Sequence, residues 1–145
     1  MMQDSEGPLR LLFGHLSQRY LSEWEIHALL EKGLPADVLR QLRQLDMFRD
    51  QARLARILGM THSTLQQHIR NAEPLSTAQS GCAWQFAQLL AHAESVFGDR
   101  TSAERWLVTP ALGLNGQAPV DCLTTPVGVG MVGELLTRID YCVYT

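Results

Sequence analysis

Residues 51–70 run Gln51-Ala52-Arg53-Leu54-Ala55-Arg56-Ile57-Leu58-Gly59-Met60-Thr61-His62-Ser63-Thr64-Leu65-Gln66-Gln67-His68-Ile69-Arg70. They read as two short helices broken at Gly59, where a tight turn asks for a left-handed backbone that glycine adopts without a Cβ clash. Outward from this pair the helical pattern continues in both directions. Upstream, Ser22-Glu23-Trp24-Glu25 is a capping box, whose Ser and Glu side chains satisfy free amides at a helix start. That helix carries Trp24, Ile26, Leu29 and Leu30 and stops at Gly33. Pro35 suits the first turn of the next helix, with Leu39, Leu42 and Leu45 on one face.

Downstream, Asn71-Ala72-Glu73-Pro74-Leu75-Ser76-Thr77 is a turn signal and the predicted domain boundary, with one helical domain over 1–75 and a second over 76–145. The following helix, to about Phe97, spaces Phe86, Leu89, Leu90, Ala93 and Phe97 on one face, and Gly98 ends it. Thr101-Ser102-Ala103-Glu104 reads as a second capping box, opening a helix that Pro110 cuts short. Phe97, Trp106 and Leu107 are core candidates on helical spacing. Leu112 to Gln117 is a Gly-rich loop braced by Pro110 and Pro119. Thr125-Pro126 opens the last helix, where Val129, Val132, Leu136 and Ile139 share a face. The tail Tyr141-Cys142-Val143-Tyr144-Thr145 is expected one turn past it. No strand pattern of any length appears, so the predicted fold class is all-α.

At 145 residues the chain can bury a core as one domain or two small ones. The apolar run Leu11-Leu12-Phe13 is too short for a signal peptide or a membrane span, which points to the cytoplasm. Three cysteines, Cys82, Cys122 and Cys142, without C-x-x-C spacing argue against a disulfide framework and a zinc site. The net charge of −3 excludes a uniformly basic nucleic-acid binder. Its distribution is uneven: residues 40–70 hold six arginines against two aspartates, a local +4, while the segments before and after are acidic. Local charge decides whether phosphates are attracted.

Catalytic and cofactor signatures are weak. Gly128-Val129-Gly130-Met131-Val132-Gly133 matches G-x-G-x-x-G literally. A dinucleotide site needs a strand before it and an acidic residue about 20 positions later. Here Thr-Thr-Pro precedes it and the sequence ends too soon, so small residues for close helix approach are the better reading. The five histidines show no H-E-x-x-H spacing, and His62 and His68 fall on opposed helix faces. No metal, cofactor or catalytic residue is expected, and the chain is read as a non-enzyme.

Residues 51–70 resemble the helix-turn-helix of Xre/Cro-type repressors over their full length. Ala55 is small where the two helices cross, and Met60, Leu65 and Ile69 are apolar where the second packs on the first. His68 departs from the pattern by standing at a usually apolar position. The resemblance implies that Thr61 caps a recognition helix and that His62, Ser63, Gln66, Gln67 and Arg70 project toward the major groove. Gln pairs with adenine and Arg with guanine or phosphate, while Thr61 and Ser63 suit phosphate contacts. One short recognition helix reads few bases, so a homodimer on two half-sites is expected.

The last fifty residues carry a second resemblance. Phe97-Gly98-Asp99, Trp106-Leu107-Val108-Thr109-Pro110, Leu114-Asn115-Gly116, Pro119 and Arg138-Ile139-Asp140-Tyr141 follow, in order, the pattern of the toxin-binding domain of Xre/MbcA/ParS-type antitoxins. Gly33-Leu34-Pro35 also resembles a stretch common in these proteins, whereas Gly81-Cys82-Ala83 and Cys142 depart from it. The resemblance implies an antitoxin whose partner is a RES-type, NAD-degrading toxin, whose C-terminal domain covers the toxin's active-site cleft, and which represses its own operon. Leu112, Leu114, Asn115, Arg138, Tyr141, Tyr144 and Thr145 are the candidate toxin contacts. Tyr144 would enter the cleft, with the carboxylate of Thr145 replacing a phosphate against a toxin arginine. The alternative is a helix-turn-helix repressor whose C-terminal domain only oligomerises.

Overall fold

A computed structural model describes residues 6–14 and 21–144; Thr145, one of the candidate contacts, lies outside the described residues. Among the described residues the chain is all-helical, with no strand, as expected. The order is α1 (Glu6–Phe13), α2 (Glu23–Lys32), α3 (Asp37–Arg43), a 3-10 turn (Asp46–Phe48), α4 (Gln51–Ile57), α5 (His62–Asn71), α6 (Thr77–Phe97), α7 (Arg100–Leu107), two further 3-10 turns (Leu112–Leu114 and Pro119–Cys122) and α8 (Pro126–Tyr144). The chain forms two compact units, residues 1–88 and 89–145. Their division falls inside α6, whereas the sequence reading placed it in the preceding turn.

In the first unit the capping box of α2 is present, with the Glu25 N–H donating to Ser22 Oγ at 3.2 Å and Ser22 N–H donating to Glu25 Oε1 at 3.4 Å. Ile26 is the buried residue of this helix. Trp24, also carried by this helix, is 81% exposed and stands edge-on to His27. It lies two residues from Ile26, which places the two side chains on opposed sides of the helix. Val38, Leu39, Leu42, Leu54, Leu58 and Leu65 are fully buried and join α3, α4 and α5, and α1 adds Leu9, Leu11 and Leu12 against α3. Burying each such leucine is worth about 1.5–3 kcal/mol. Phe48 and Phe86 meet with ring centres 5.0 Å apart.

Gly33 closes α2 with φ of 102°, and a Cβ there would come within 2.3 Å of the Leu75 carbonyl oxygen. The chain thus needs glycine here twice over, for its φ and for the close approach. The contact persists into α6: Leu75 N–H donates to Leu34 O at 2.8 Å, Leu34 N–H to Ser80 Oγ at 2.8 Å, and Thr77 Oγ1 to Glu31 O at 2.9 Å.

In the second unit Leu90, Ala93, Ala103, Leu107, Val120, Val132 and Leu136 are buried, with α8 packed on both 3-10 turns and α7 on the second of them. Phe97 and Trp106, half-buried, stack at 5.5 Å. The capping box expected at Thr101 is not there. Asp99 is the N-cap of α7, extended at φ −152° and ψ 165°, and its carboxylate accepts from Ser102 N–H at 2.6 Å and Ser102 Oγ at 3.1 Å. An aspartate in extended backbone two residues earlier outcompetes Thr101, which is already inside the helix. The last helix also runs further than expected, through Tyr144, so Tyr141 and Cys142 lie within it.

Gly128 accounts for the glycine-rich string. A Cβ at Gly128 would lie 1.7 Å from the Cys122 carbonyl oxygen, whereas Gly130 has open space and Gly133 meets only Leu89 at 4.0 Å. The motif begins inside a helix opened by Thr125, whose Oγ1 accepts from Gly128 N–H at 3.0 Å. No strand leads into it.

Candidate functional site

Each unit presents one surface that its own packing does not consume. In the first it lies on α5. Thr61 is the N-cap, extended at φ −79° and ψ 161°, and its Oγ1 accepts from Thr64 N–H at 3.1 Å. The Thr61 hydroxyl also donates to Thr64 Oγ1 at 2.9 Å, so this side chain is committed to the cap. His62, Ser63, Gln67 and Arg70 are exposed and Gln66 is half-buried. Together with Asn71 these five line one polar depression. Five of the six residues that the sequence nominated on this helix are therefore brought together, and the sixth orients the helix end.

His68 turns inward and is 8% exposed. Its Nδ1 lies 3.0 Å from the Glu73 carbonyl oxygen, and Glu73 N–H donates to the His68 carbonyl at 3.0 Å. The imidazole thus substitutes for the usual apolar residue by finding a backbone partner, as a buried polar group must. Five of the six arginines of residues 40–70 fall into two groups. Arg40 and Arg49 pair with Asp37 at 3.9 Å and Asp46 at 3.2 Å, exposed pairs worth at most about 1 kcal/mol. Arg43, Arg56 and Arg70 are exposed and make no ion pair among the described residues. Those three cations are available to an anionic partner.

In the second unit the surface is apolar. Leu112 is 98% exposed, while Leu114, two residues on in the same 3-10 turn, is 4% exposed and belongs to the core. Backbone bonds close the loop on itself, with Ala111 N–H donating to Gln117 O at 3.0 Å and Gly116 N–H to Ala111 O at 3.0 Å. Asn115 is exposed in the left-handed region at φ 59°. On α8, Val127, Met131, Glu134, Arg138 and Tyr141 recur at helical spacing and form one outward stripe. Val127 is 73%, Met131 45% and Tyr141 72% exposed. Arg138 Nη2 and Glu134 Oε1 pair at 2.7 Å across the middle of the stripe. Val127 and Met131 were missed in the sequence. They follow once Val129, Val132 and Leu136 are assigned to the inner face.

The ionisable groups offer little chemistry. Hydrogen bonds from the Ser102 backbone and then its side chain hold the Asp99 carboxyl below the usual range. Burial pushes the thiols of Cys82 and Cys122 up, with Asp121 adding to the latter. Among the described residues no group of three or more His, Cys, Asp or Glu side chains is placed to hold a metal ion. No helix of the described residues is long and apolar enough to cross a membrane.

Fold and surfaces together define an all-helical protein with a helix-turn-helix in its first unit and an exposed stripe of apolar side chains, crossed by one ion pair, in its second. The family described as the antitoxin Xre/MbcA/ParS C-terminal toxin-binding domain matches residues 92–141, which contain the whole of that stripe and the Leu112 loop. A protein from Pseudomonas putida named Antitoxin Xre is 33% identical over 122 residues, spanning 81% of this chain and 72% of its own. A second Antitoxin Xre, from Photorhabdus laumondii subsp. laumondii, is 25% identical over 117 residues, spanning 80% of this chain and 78% of its own. The chain belongs to the Xre-type antitoxins.

Proposed function

We propose that this antitoxin binds a RES-type, NAD-degrading toxin through its second unit and blocks it sterically. The observation that carries this reading is the outward stripe Val127, Met131 and Tyr141 on α8, lying within the matched toxin-binding domain. Exposed apolar side chains in a row, crossed by one ion pair, make the apolar centre and polar anchor that a protein interface needs. Leu112 and Asn115 extend the surface on their closed loop, and Leu114 holds that loop from beneath. Arg138 offers its guanidinium to a toxin carboxylate in exchange for Glu134. Tyr144 would enter the toxin's cleft, with the carboxylate of Thr145 against a toxin arginine. The chain supplies bulk and position to this complex and catalyses nothing.

The first unit, on this reading, represses the antitoxin's own operon in the cytoplasm. The α5 surface offers His62, Ser63, Gln66, Gln67 and Arg70 to base edges and phosphates, and Thr61 fixes the helix end. Arg43, Arg56 and Arg70 provide local positive charge on a chain of net −3. A homodimer would place two copies of α5 on successive half-sites about one helical turn apart.

The test is NAD consumption by a RES-type toxin, measured with and without the antitoxin at equal concentration. Loss of activity is expected. An active toxin left untouched would overturn the inhibitory role, and self-association through the α8 stripe would then explain its exposure.

A further inference from the structure

We infer that two copies of this chain pair through the outer face of α2, antiparallel, with Ala28 at the two-fold axis and Trp24 of each copy packed on Lys32 of the other. The pairing depends on neither the DNA reading nor the toxin reading, and it gives the homodimer a location. Among the described residues of the first unit, Trp24 is the one large apolar side chain left exposed. Trp24, His27, Ala28 and Glu31 fall at i, i+3, i+4 and i+7, so they share the face opposite the buried Ile26, and all four are exposed. The helix that carries them is held at both ends. Its capping box fixes the start, and the Thr77 hydroxyl on the Glu31 carbonyl, at 2.9 Å beside the close approach at Gly33, fixes the finish. A tryptophan on so rigid a support offers a large contact at little entropic cost, which is why indoles recur at the centres of interfaces.

The charges identify the occupant as a second copy. Acidic residues, Glu23 and Glu25, stand in the first turn of α2 and a basic one, Lys32, in the last. Glu25 and Lys32 are seven residues apart and lie on one flank of the exposed face, while His27 lies on the other. A two-fold axis perpendicular to the helix turns one copy end for end and keeps like flank against like flank. Glu25 then faces Lys32 of the second copy. His27 faces Glu31 of the second copy, which exchanges the 3.4 Å pair within each chain for one between chains. Lys32 is exposed and makes no ion pair among the described residues. Its stem can cover the second copy's Trp24 ring while its ammonium sits over the indole face. Ala28 at the axis lets the helices approach to about 8 Å. Parallel pairing would instead set Glu25 on Glu25, Glu31 on Glu31 and Lys32 on Lys32. A single helix face is a small interface, so a Kd on the order of 10–100 µM is expected.

The experiment is sedimentation of the full-length chain over concentrations that span this Kd, where a monomer–dimer equilibrium is expected. Trp24→Ala and Lys32→Glu should each raise the Kd roughly ten-fold or more. Lys32→Arg, whose guanidinium also stacks on an indole, should keep it. Both positions are exposed, so melting midpoints should match wild type. The register is read by oxidising Ala28→Cys and mapping the linked peptides by mass spectrometry. The two introduced thiols meet at the axis and should link to each other. In Glu31→Cys they would stand about 9 Å apart along the axis, beyond disulfide reach, and should not.

A chain that stays monomeric throughout would overturn the inference and leave toxin inhibition and DNA binding untouched, since each is measured separately. A dimer that survives Trp24→Ala but is lost in Met131→Asp would move self-association to α8 and overturn it too. Self-links in both cysteine variants would mean parallel pairing, against the charges argued above. A lowered midpoint in Trp24→Ala, with the dimer intact in Lys32→Glu, would assign Trp24 to folding and also overturn the inference.

Discussion

Leu34 and Ser80 are joined by a fully buried hydrogen bond, the Leu34 N–H donating to the Ser80 hydroxyl at 2.8 Å. It links the segment after α2 to the first turns of α6, beside the close approach of Gly33 to the Leu75 carbonyl. Leu34 N–H sits just past the end of α2, where no helical acceptor remains for it. Replacing Ser80 with alanine leaves that N–H buried without a partner, which costs about 1–3 kcal/mol despite alanine's better helix propensity. Urea unfolding of Ser80→Ala should show the loss as a lower midpoint. An unchanged midpoint would mean water replaces the hydroxyl.

The glycine string at 128–133 offers a contrast within one helix. Gly128→Ala forces a methyl group into the Cys122 carbonyl, since the Cβ would lie only 1.7 Å from that oxygen. Backbone must move, and the expected loss is about 3 kcal/mol or more. Gly130→Ala meets nothing within 4 Å, so it should gain about 0.5–1 kcal/mol from reduced chain entropy. Paired melting curves decide it. Equal behaviour of the two variants would contradict the packing described at Gly128.

Acid should loosen the cap of α7. Asp99 has a folded-state pKa below its ordinary value because the carboxylate accepts from Ser102. A lowered folded pKa means that its contribution is fully present above the unfolded value, about 4, and is lost as pH falls through the folded one. Asp99→Asn keeps a side-chain acceptor at the cap and removes the titration. Stability of wild type and Asp99→Asn should therefore converge as pH drops below about 4, with wild type ahead at neutral pH. Parallel curves across pH 2.5–6 would remove Asp99 as a source of the dependence.

Helix-by-helix, the fold was legible where a local signal and the tertiary packing agree. Ser22 and Glu25, Gly33, Thr61, Gly98 and Pro126 all stand where their chemistry put them. The misreadings have particular causes. Thr101-Ser102-Ala103-Glu104 fits the capping-box pattern, but Asp99 precedes it in extended backbone and begins the helix first. Ser76 and Gln79 form a reciprocal cap that the same pattern marks, at 2.8 and 3.1 Å, inside a stretch read only as a turn. α1 carries too short a pattern to announce itself, and its leucines acquire meaning only from α3. The outer face of α5 was readable because its cap at Thr61 and its buried Leu65 fix which side chains face out. The hydrogen bond between Gln66 and Gln51 was not, because it joins two helices whose crossing no local pattern specifies.

Leu112 and Leu114 make the sharpest test of the docking surface, because they differ in burial and in little else. Leu114 is 4% exposed, so Leu114→Ala should destabilise the second unit by about 2–5 kcal/mol, as cavity formation in a core does. Leu112 is 98% exposed, so Leu112→Asp should leave the melting curve unchanged within about 0.5 kcal/mol. Against the toxin the order reverses. Leu112→Asp would bury a charge at the interface and weaken binding roughly ten-fold or more. Leu114→Ala should act only through folding, and its toxin affinity should recover at a temperature where the second unit is fully folded. Calorimetry on the purified pair, beside thermal unfolding of each antitoxin, separates the two effects. Wild-type affinity in Leu112→Asp would remove the loop from the interface and leave the α8 stripe to carry it.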